Sequence, residues 1–192
     1  MLIRYLSLLL TCLIAAGQAF PQVKFEKEYR LPARKVPDRA LQFLASLPET
    51  GKIKWYKEEG LTRWTVEAKF RMGEKLYSVE FDSLGNLEDA ELLASLQDLP
   101  GGAREKILAQ LSSACRNYRI KKVQIQYSGS MDLIRETIIT RNPMPEVRIN
   151  YEIIYQCRSA GHVRMFELTA GDDGTILRRD EILQKNTDNL ED

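Results

Sequence analysis

This chain of 192 residues has one histidine and three cysteines. So thin a supply rules out a paired-histidine metal motif and leaves little for a thiol-based triad. Neither charge is in surplus, since 28 Lys+Arg stand against 27 Asp+Glu. Nucleic acid is therefore excluded as the expected partner, because neutralising phosphates takes a clear basic excess. Long apolar runs are missing as well, except at the very start. At 44% hydrophobic residues the composition is that of a folded domain, not of a disordered tail.

The exception is an address. Met1 to Ala19 holds one charge, Arg4, then the apolar run Leu6 to Ala16 and the small-residue stretch Gly17-Gln18-Ala19. A basic start, a short apolar core and a small-residue cut site make a secretory signal peptide, with cleavage expected after Ala19. The run is shorter than the roughly 20 residues a spanning helix needs. Cys12 sits in mid-core behind Thr11, which disfavours the rival reading of a lipoprotein signal. The mature chain is expected to be exported, periplasmic or secreted, with no integral membrane segment. Without Arg4 it carries 27 basic and 27 acidic residues, split 13 to 14 over 20–98 and 14 to 13 afterwards. Neither half is an electrostatic footprint for a polyanion or an anionic membrane.

Internal similarity carries more information than any single motif. Val36-Pro37 opens a helical stretch that gathers Ala40, Leu41, Phe43, Leu44 and Leu47 on one side. Leu99-Pro100 opens another, with Ile107, Leu108, Leu111, Cys115 and Tyr118. Proline suits the start of a helix, where its missing N–H had no partner anyway. Alternating runs follow each helix: Ile53 to Glu58, Trp64 to Arg71 and Tyr77 to Phe81, then Val123 to Tyr127, Val147 to Cys157 and Phe166 to Leu168. Period-two alternation predicts strands with one apolar and one polar face. The turns match too, Asp82-Ser83-Leu84-Gly85 against Asp172-Asp173-Gly174, and the latter lacks the further carboxylates of a calcium loop. A strand-like lead, Val23 to Arg30, precedes the first helix, and Glu88 to Leu96 could play that part before the second.

The expectation is an α+β protein of two tandem repeats, 20–98 and 99–185. Each is one helix packed on an antiparallel sheet of about three to four strands. The second carries an insertion at 129–145, whose Leu133 to Ile139 reads equally as strand or helix, and 186–192 is a polar tail.

These residues resemble the PepSY-like family of exported bacterial proteins, whose fold is similar to the beta-lactamase inhibitory protein. The likeness rests on Trp64 to Leu87, on Leu96-Gln97-Asp98-Leu99-Pro100, and on Val163 to Leu177. It implies an extracytoplasmic role in binding or inhibiting other proteins.

No enzyme motif competes with that implication. His162 stands in a turn with no nucleophile arranged beside it, and there is no nucleophile elbow or phosphate-cradling loop. The chain is therefore expected to be no enzyme, with no cofactor and no metal. Cys115 on a helix and Cys157 on a strand both point into the helix–sheet layer. They form either a disulfide, favoured by export, or two separate buried thiols.

The polar strand face is the candidate for binding another extracytoplasmic protein. Lys54, Tyr56, Glu67, Lys69 and Arg71 line it in the first half, and Arg148, Asn150, Glu152 and Ile154, with Gln124, Gln126 and Gln156, in the second. Tyr and Arg are enriched at protein contacts, although any half-buried sheet needs a polar outer face. The competing function is a small ligand or envelope component held between helix and sheet near Trp55 and Trp64, both expected on the apolar face.

Overall fold

The computed structural model describes residues 22–25 and 27–184, so the expected leader peptide, its expected cleavage site and the polar tail at 186–192 lie outside the described residues. Ten strands form one continuous sheet: β1 (Gln22–Phe25), β2 (Lys27–Arg30), β3 (Lys54–Glu59), β4 (Trp64–Met72), β5 (Lys75–Asp82), β6 (Leu87–Ala94), β7 (Tyr118–Ser128), β8 (Arg148–Ser159), β9 (His162–Gly171) and β10 (Ile176–Gln184). Their spatial order is β1-β10-β9-β8-β7-β6-β5-β4-β3-β2. All neighbours are antiparallel except β1, which runs parallel to β10.

This corrects the expected fold class. The halves are not two helix-on-sheet repeats with three or four strands each. β6 pairs with β7 from Ala90–Tyr127 to Ala94–Val123 and fuses all strands into one sheet. Strand alternation is a local signal and does not say which strands pair at the seam.

Among the described residues, three α-helices cover one side of the sheet. α1 (Asp38–Ala45) starts behind Pro37, carries Asp38 in its first turn where the helix dipole favours an anion, and buries Ala40, Phe43 and Leu44. α2 (Gly101–Ala114) starts behind Pro100 and buries Ala103, Ile107 and Leu111, each four residues after the last and so on one face. The insertion resolves as a helix, α3 (Met131–Thr140). The Ser130 hydroxyl accepts from Leu133 N at its start, and Arg141 ends it in the left-handed region.

α3 belongs by sequence to the second half but packs on the first. Its Ile134 and Ile138 join Phe43, Trp55, Phe70 and Phe81 in one apolar cluster. A second cluster unites α2 with β7 to β10 through Ile107, Leu111, Ile153, Tyr155 and Phe166. Cys115, at the end of α2, is joined to Cys157 on β8 by a disulfide. Trp55 is buried against Phe81, ring centroids 6.3 Å apart. Trp64 shares its face but lies at the strand end, beyond the helix cover, 38% exposed with the Lys57 ammonium over its ring.

A contact recurs in both halves. Gly85 (φ +83°) and Gly174 (φ +81°) take left-handed turns that side chains rarely adopt. A Cβ on Gly85 would lie 2.8 Å from Pro37 Cβ, and one on Gly174 would lie 2.5 Å from Ala103 O. Each turn is thus pressed against the first turn of its helix. A basic side chain ties each contact: Arg39 donates to Asn86 Oδ1 (2.5 Å), and Lys106 donates to Asp173 Oδ2 (2.8 Å).

The lead segment decides the shape. β1 and β2 sit at opposite ends of the strand order, yet Phe25 and Lys27 are two positions apart in the chain. Their Cα atoms can be no more than about 7 Å apart. The sheet therefore curls until its two edge strands come close, and its helix-free face becomes an enclosed concave surface.

Candidate functional site

The concave face gathers the polar half of every strand. Glu67 on β4 lies opposite Glu80 on β5, which lies opposite Asp89 on β6. Three carboxylates thus stand in one row across three adjacent strands, and like charges directly opposed are destabilising. Glu91, Glu152, Glu167 and Glu28 surround them and, with Lys24, Lys69 and Lys122, line a cavity of about 270 Å³.

Protonation differs along this face. Burial drives the Glu80 carboxyl well above the usual range, and the neighbouring Glu58 and Asp89 add to it. Burial does the same to Asp89, reinforced by Glu91, and to Glu152, reinforced by Glu91 and Glu167. Glu67 behaves oppositely. Burial pushes it up, but Lys69 and the Ser78 hydroxyl bring it below the ordinary value. The Lys69 ammonium lies 2.9 Å from Glu28 Oε1 and 3.0 Å from Glu67 Oε2. Although burial opposes its charge, those two carboxylates raise its affinity for the proton. Lys24 reaches in from β1 to Glu167 at 2.7 Å.

Oxygens of Glu28, Glu58 and Glu67 lie within 4.8 Å of one another, a spacing compatible with a metal ion. The Lys69 ammonium already supplies counter-charge to two of the three. The Asp173 carboxylate of the other acidic turn accepts from Thr175 N (2.8 Å) and from Lys106, and so acts as a turn lock.

A second cavity, of about 450 Å³, opens on the same face where β3 to β7 end. Tyr56, Leu76 and Leu93 give it an apolar floor, and every charged residue lining it is basic. A bulge in β7 supplies part of that charge. The register slips between Ile120 and Lys122, leaving Lys121 as the extra residue, so two successive lysines line one cavity.

The residues expected on the sheet's polar face divide by depth. Glu67, Asn150 and Ile154 are buried, Lys54, Tyr56, Lys69 and Glu152 are half-buried, and Arg71 and Arg148 are exposed. The structure brings Lys54, Tyr56, Lys69 and Arg71 together around the larger cavity and places Glu67, Lys69, Glu152 and Ile154 on the smaller one. Arg148 lies apart, near Pro145 and Asp172, while Asn150 donates to Gln126 Oε1 (3.0 Å) on the wall of the smaller cavity. Sequence reasoning left out Lys24, Glu28, Glu80, Asp89, Glu91 and Glu167, as well as Leu76, Leu93 and Lys121. Ser78, Glu80, Asp89 and Glu91 carry the same period-two signal and were findable, whereas the bulge at Lys121 breaks that signal.

No family model matches the chain, and no curated protein matches it by sequence. Solved structures do. A DUF2874 family protein from Bacteroides ovatus superposes with a TM-score of 0.52 at 14% identity, covering 76% of this chain and 87% of that one. A protein from Bacteroides eggerthii whose description places it provisionally in the periplasm gives 0.50 at 14% identity, covering 76% and 88%. A BLIP-like protein from Bacteroides fragilis gives 0.49 at 16% identity, covering 82% and 92%. The chain shares its fold with the first two.

Proposed function

We propose that this chain is a non-catalytic extracytoplasmic binding module that receives another exported protein on the rim of its concave face, with inhibition of that protein as one form such binding takes. The observation that carries the reading is the concave face itself: it gathers carboxylates, lysines and amides from adjacent strands, with Arg71 and Arg148 exposed at separate points on it. Arginine is favoured at protein contacts because its planar guanidinium makes several directed hydrogen bonds. The leader-like Met1 to Ala19 supports export, and among the described residues no helix is long and apolar enough to cross a membrane. The periplasmic description of the B. eggerthii structure and the resemblance to the PepSY-like family agree with this reading.

Lysines, a serine and a glutamine hold the carboxylates of the face, an arrangement that supports binding through charged and amide groups. The test is capture of a partner from envelope extract by the mature chain. Arg71→Glu/Arg148→Glu should lose the partner that the parent retains, and retention by both would overturn the reading.

A further inference from the structure

We infer that the 450 Å³ cavity is a site for a single-chain amphiphile with an anionic head, a carboxylate or phosphate on an apolar tail. This inference rests on the concave face being the binding face and names what its basic end takes.

The first argument is charge segregation. The chain as a whole is balanced, yet this cavity is lined by Lys52, Lys54, Lys69, Arg71, Lys121 and Lys122 and by no carboxylate. The acids have been moved next door, into the smaller cavity, which shares Lys69, Lys122 and Gln124 as a wall. Lys69 is committed to that side by its contacts with Glu28 and Glu67. Lys52, Arg71 and Lys121 form no ion pair with any described residue, and all three are exposed at the mouth. Unpaired cations around a concave mouth focus a positive potential into it.

The second argument is the floor. Leu76, Leu93 and Tyr56 present apolar surface inside the ring of cations, and Leu93 is 40% exposed although it stands on the enclosed face of the sheet. An inorganic anion would satisfy the rim and leave this floor wet. A neutral apolar molecule would cover the floor and leave the cations without a counter-charge. A molecule with both parts satisfies both, and the volume lies within the range of small-molecule sites. The β7 bulge fits the same purpose, since it places Lys121 beside Lys122 at the mouth where regular alternation would turn it away.

The experiment is calorimetric titration of the mature chain with dodecanoate, dodecyl phosphate, dodecanol and dodecyltrimethylammonium, each below its micelle-forming concentration, and with inorganic phosphate. Dodecanoate and dodecyl phosphate should each bind at least tenfold more tightly than the neutral or cationic chain and than inorganic phosphate. Lys52→Glu/Lys121→Glu, at two exposed positions, should weaken them at least tenfold while the thermal midpoint stays put. Leu93→Trp, filling the floor, should weaken them at unchanged charge. Equal affinity for all heads, or affinity untouched by the charge reversal, would overturn the inference. If no amphiphile binds while partner capture still depends on Arg71 and Arg148, this inference fails and the wider reading stands. If an acidic peptide such as hexaglutamate binds and the amphiphiles do not, the site belongs to a protein partner and the inference also fails.

Discussion

Glu80 on β5 and Asp89 on β6 face each other directly inside the curl of the sheet, two carboxyls where one charge is already costly. Both are driven well above the ordinary range, first by burial, then Glu80 by Glu58 and Asp89, and Asp89 by Glu91 and Glu88. A carboxyl whose folded pKa is raised binds its proton more tightly in the folded state, so its stabilising contribution is complete below the unfolded value and is lost as pH rises. Stability should therefore fall as pH rises above the ordinary carboxylate range, the reverse of common acid denaturation. Glu80→Gln should raise the unfolding free energy at pH 8 by about 1 kcal/mol and change nothing near pH 4.5. Urea titrations at the two pH values check this. Further down in pH, Glu67 and Asp82, both held below the ordinary value, lose their contribution as they protonate, which puts the optimum on the mildly acidic side.

Lys69 answers the same crowding with a cation. Its ammonium holds Glu28 and Glu67, and Glu67 is only 3% exposed. Removing one partner of a buried pair leaves the other charge uncompensated, at about 3–5 kcal/mol. Lys69→Met should cost about that much, and Glu67→Gln/Lys69→Met should recover a large part of it. Chemical denaturation of the two single variants and the double variant gives the coupling energy. A cycle that closes additively would mean the pair is not coupled.

The residues make clear why some of this was legible beforehand and some was not. Pro37 and Pro100 mark their helices because proline acts on the backbone next to it. Val66, Ala68 and Phe70 reveal the apolar face because alternation is written along a single strand. The pairing of β6 with β7 is a contact between segments about 30 residues apart, and nothing local encodes it. The division of the lead segment between the two sheet edges is equally non-local, and it turns an expected open face into an enclosed one. That closure buries Glu67 and Ile154, which alternation alone could place on a side but not at a depth. Trp64 fails for a related reason, because sharing a face with Val66 does not say where the helix cover ends.

The Cys115–Cys157 bridge ties the end of α2 to β8 across a sequence separation of 42. Closing a loop of that size limits the unfolded chain and, on the chain-entropy account, contributes about 4 kcal/mol. Cys115→Ala/Cys157→Ala should lower the thermal midpoint accordingly. Hydrogen exchange should show the largest loss of protection in α2, since Ile107 and Leu111 depend on the helix staying docked. Exchange that rises evenly over the whole sheet would instead mean that α2 does not unfold as a unit.

The two turn glycines set a last expectation. Gly174 has no room for a Cβ, because Ala103 O, Cα and C all lie within 3.0 Å of where it would stand, and its φ of +81° is strained for any side chain. Backbone atoms of a docked helix cannot swing aside as a side chain can. Gly174→Ala should therefore cost about 2–3 kcal/mol by displacing the turn from α2. Gly102, one position before Ala103, makes the opposite case: a Cβ there meets nothing within 4 Å, and its φ is ordinary. Gly102→Ala should stabilise the protein by about 0.5–1 kcal/mol by reducing the freedom of the unfolded chain. Placed side by side in one thermal series, the two alanines should move the midpoint in opposite directions. If both lowered it, the contact of the turn with the first residues of α2 would not be what separates them.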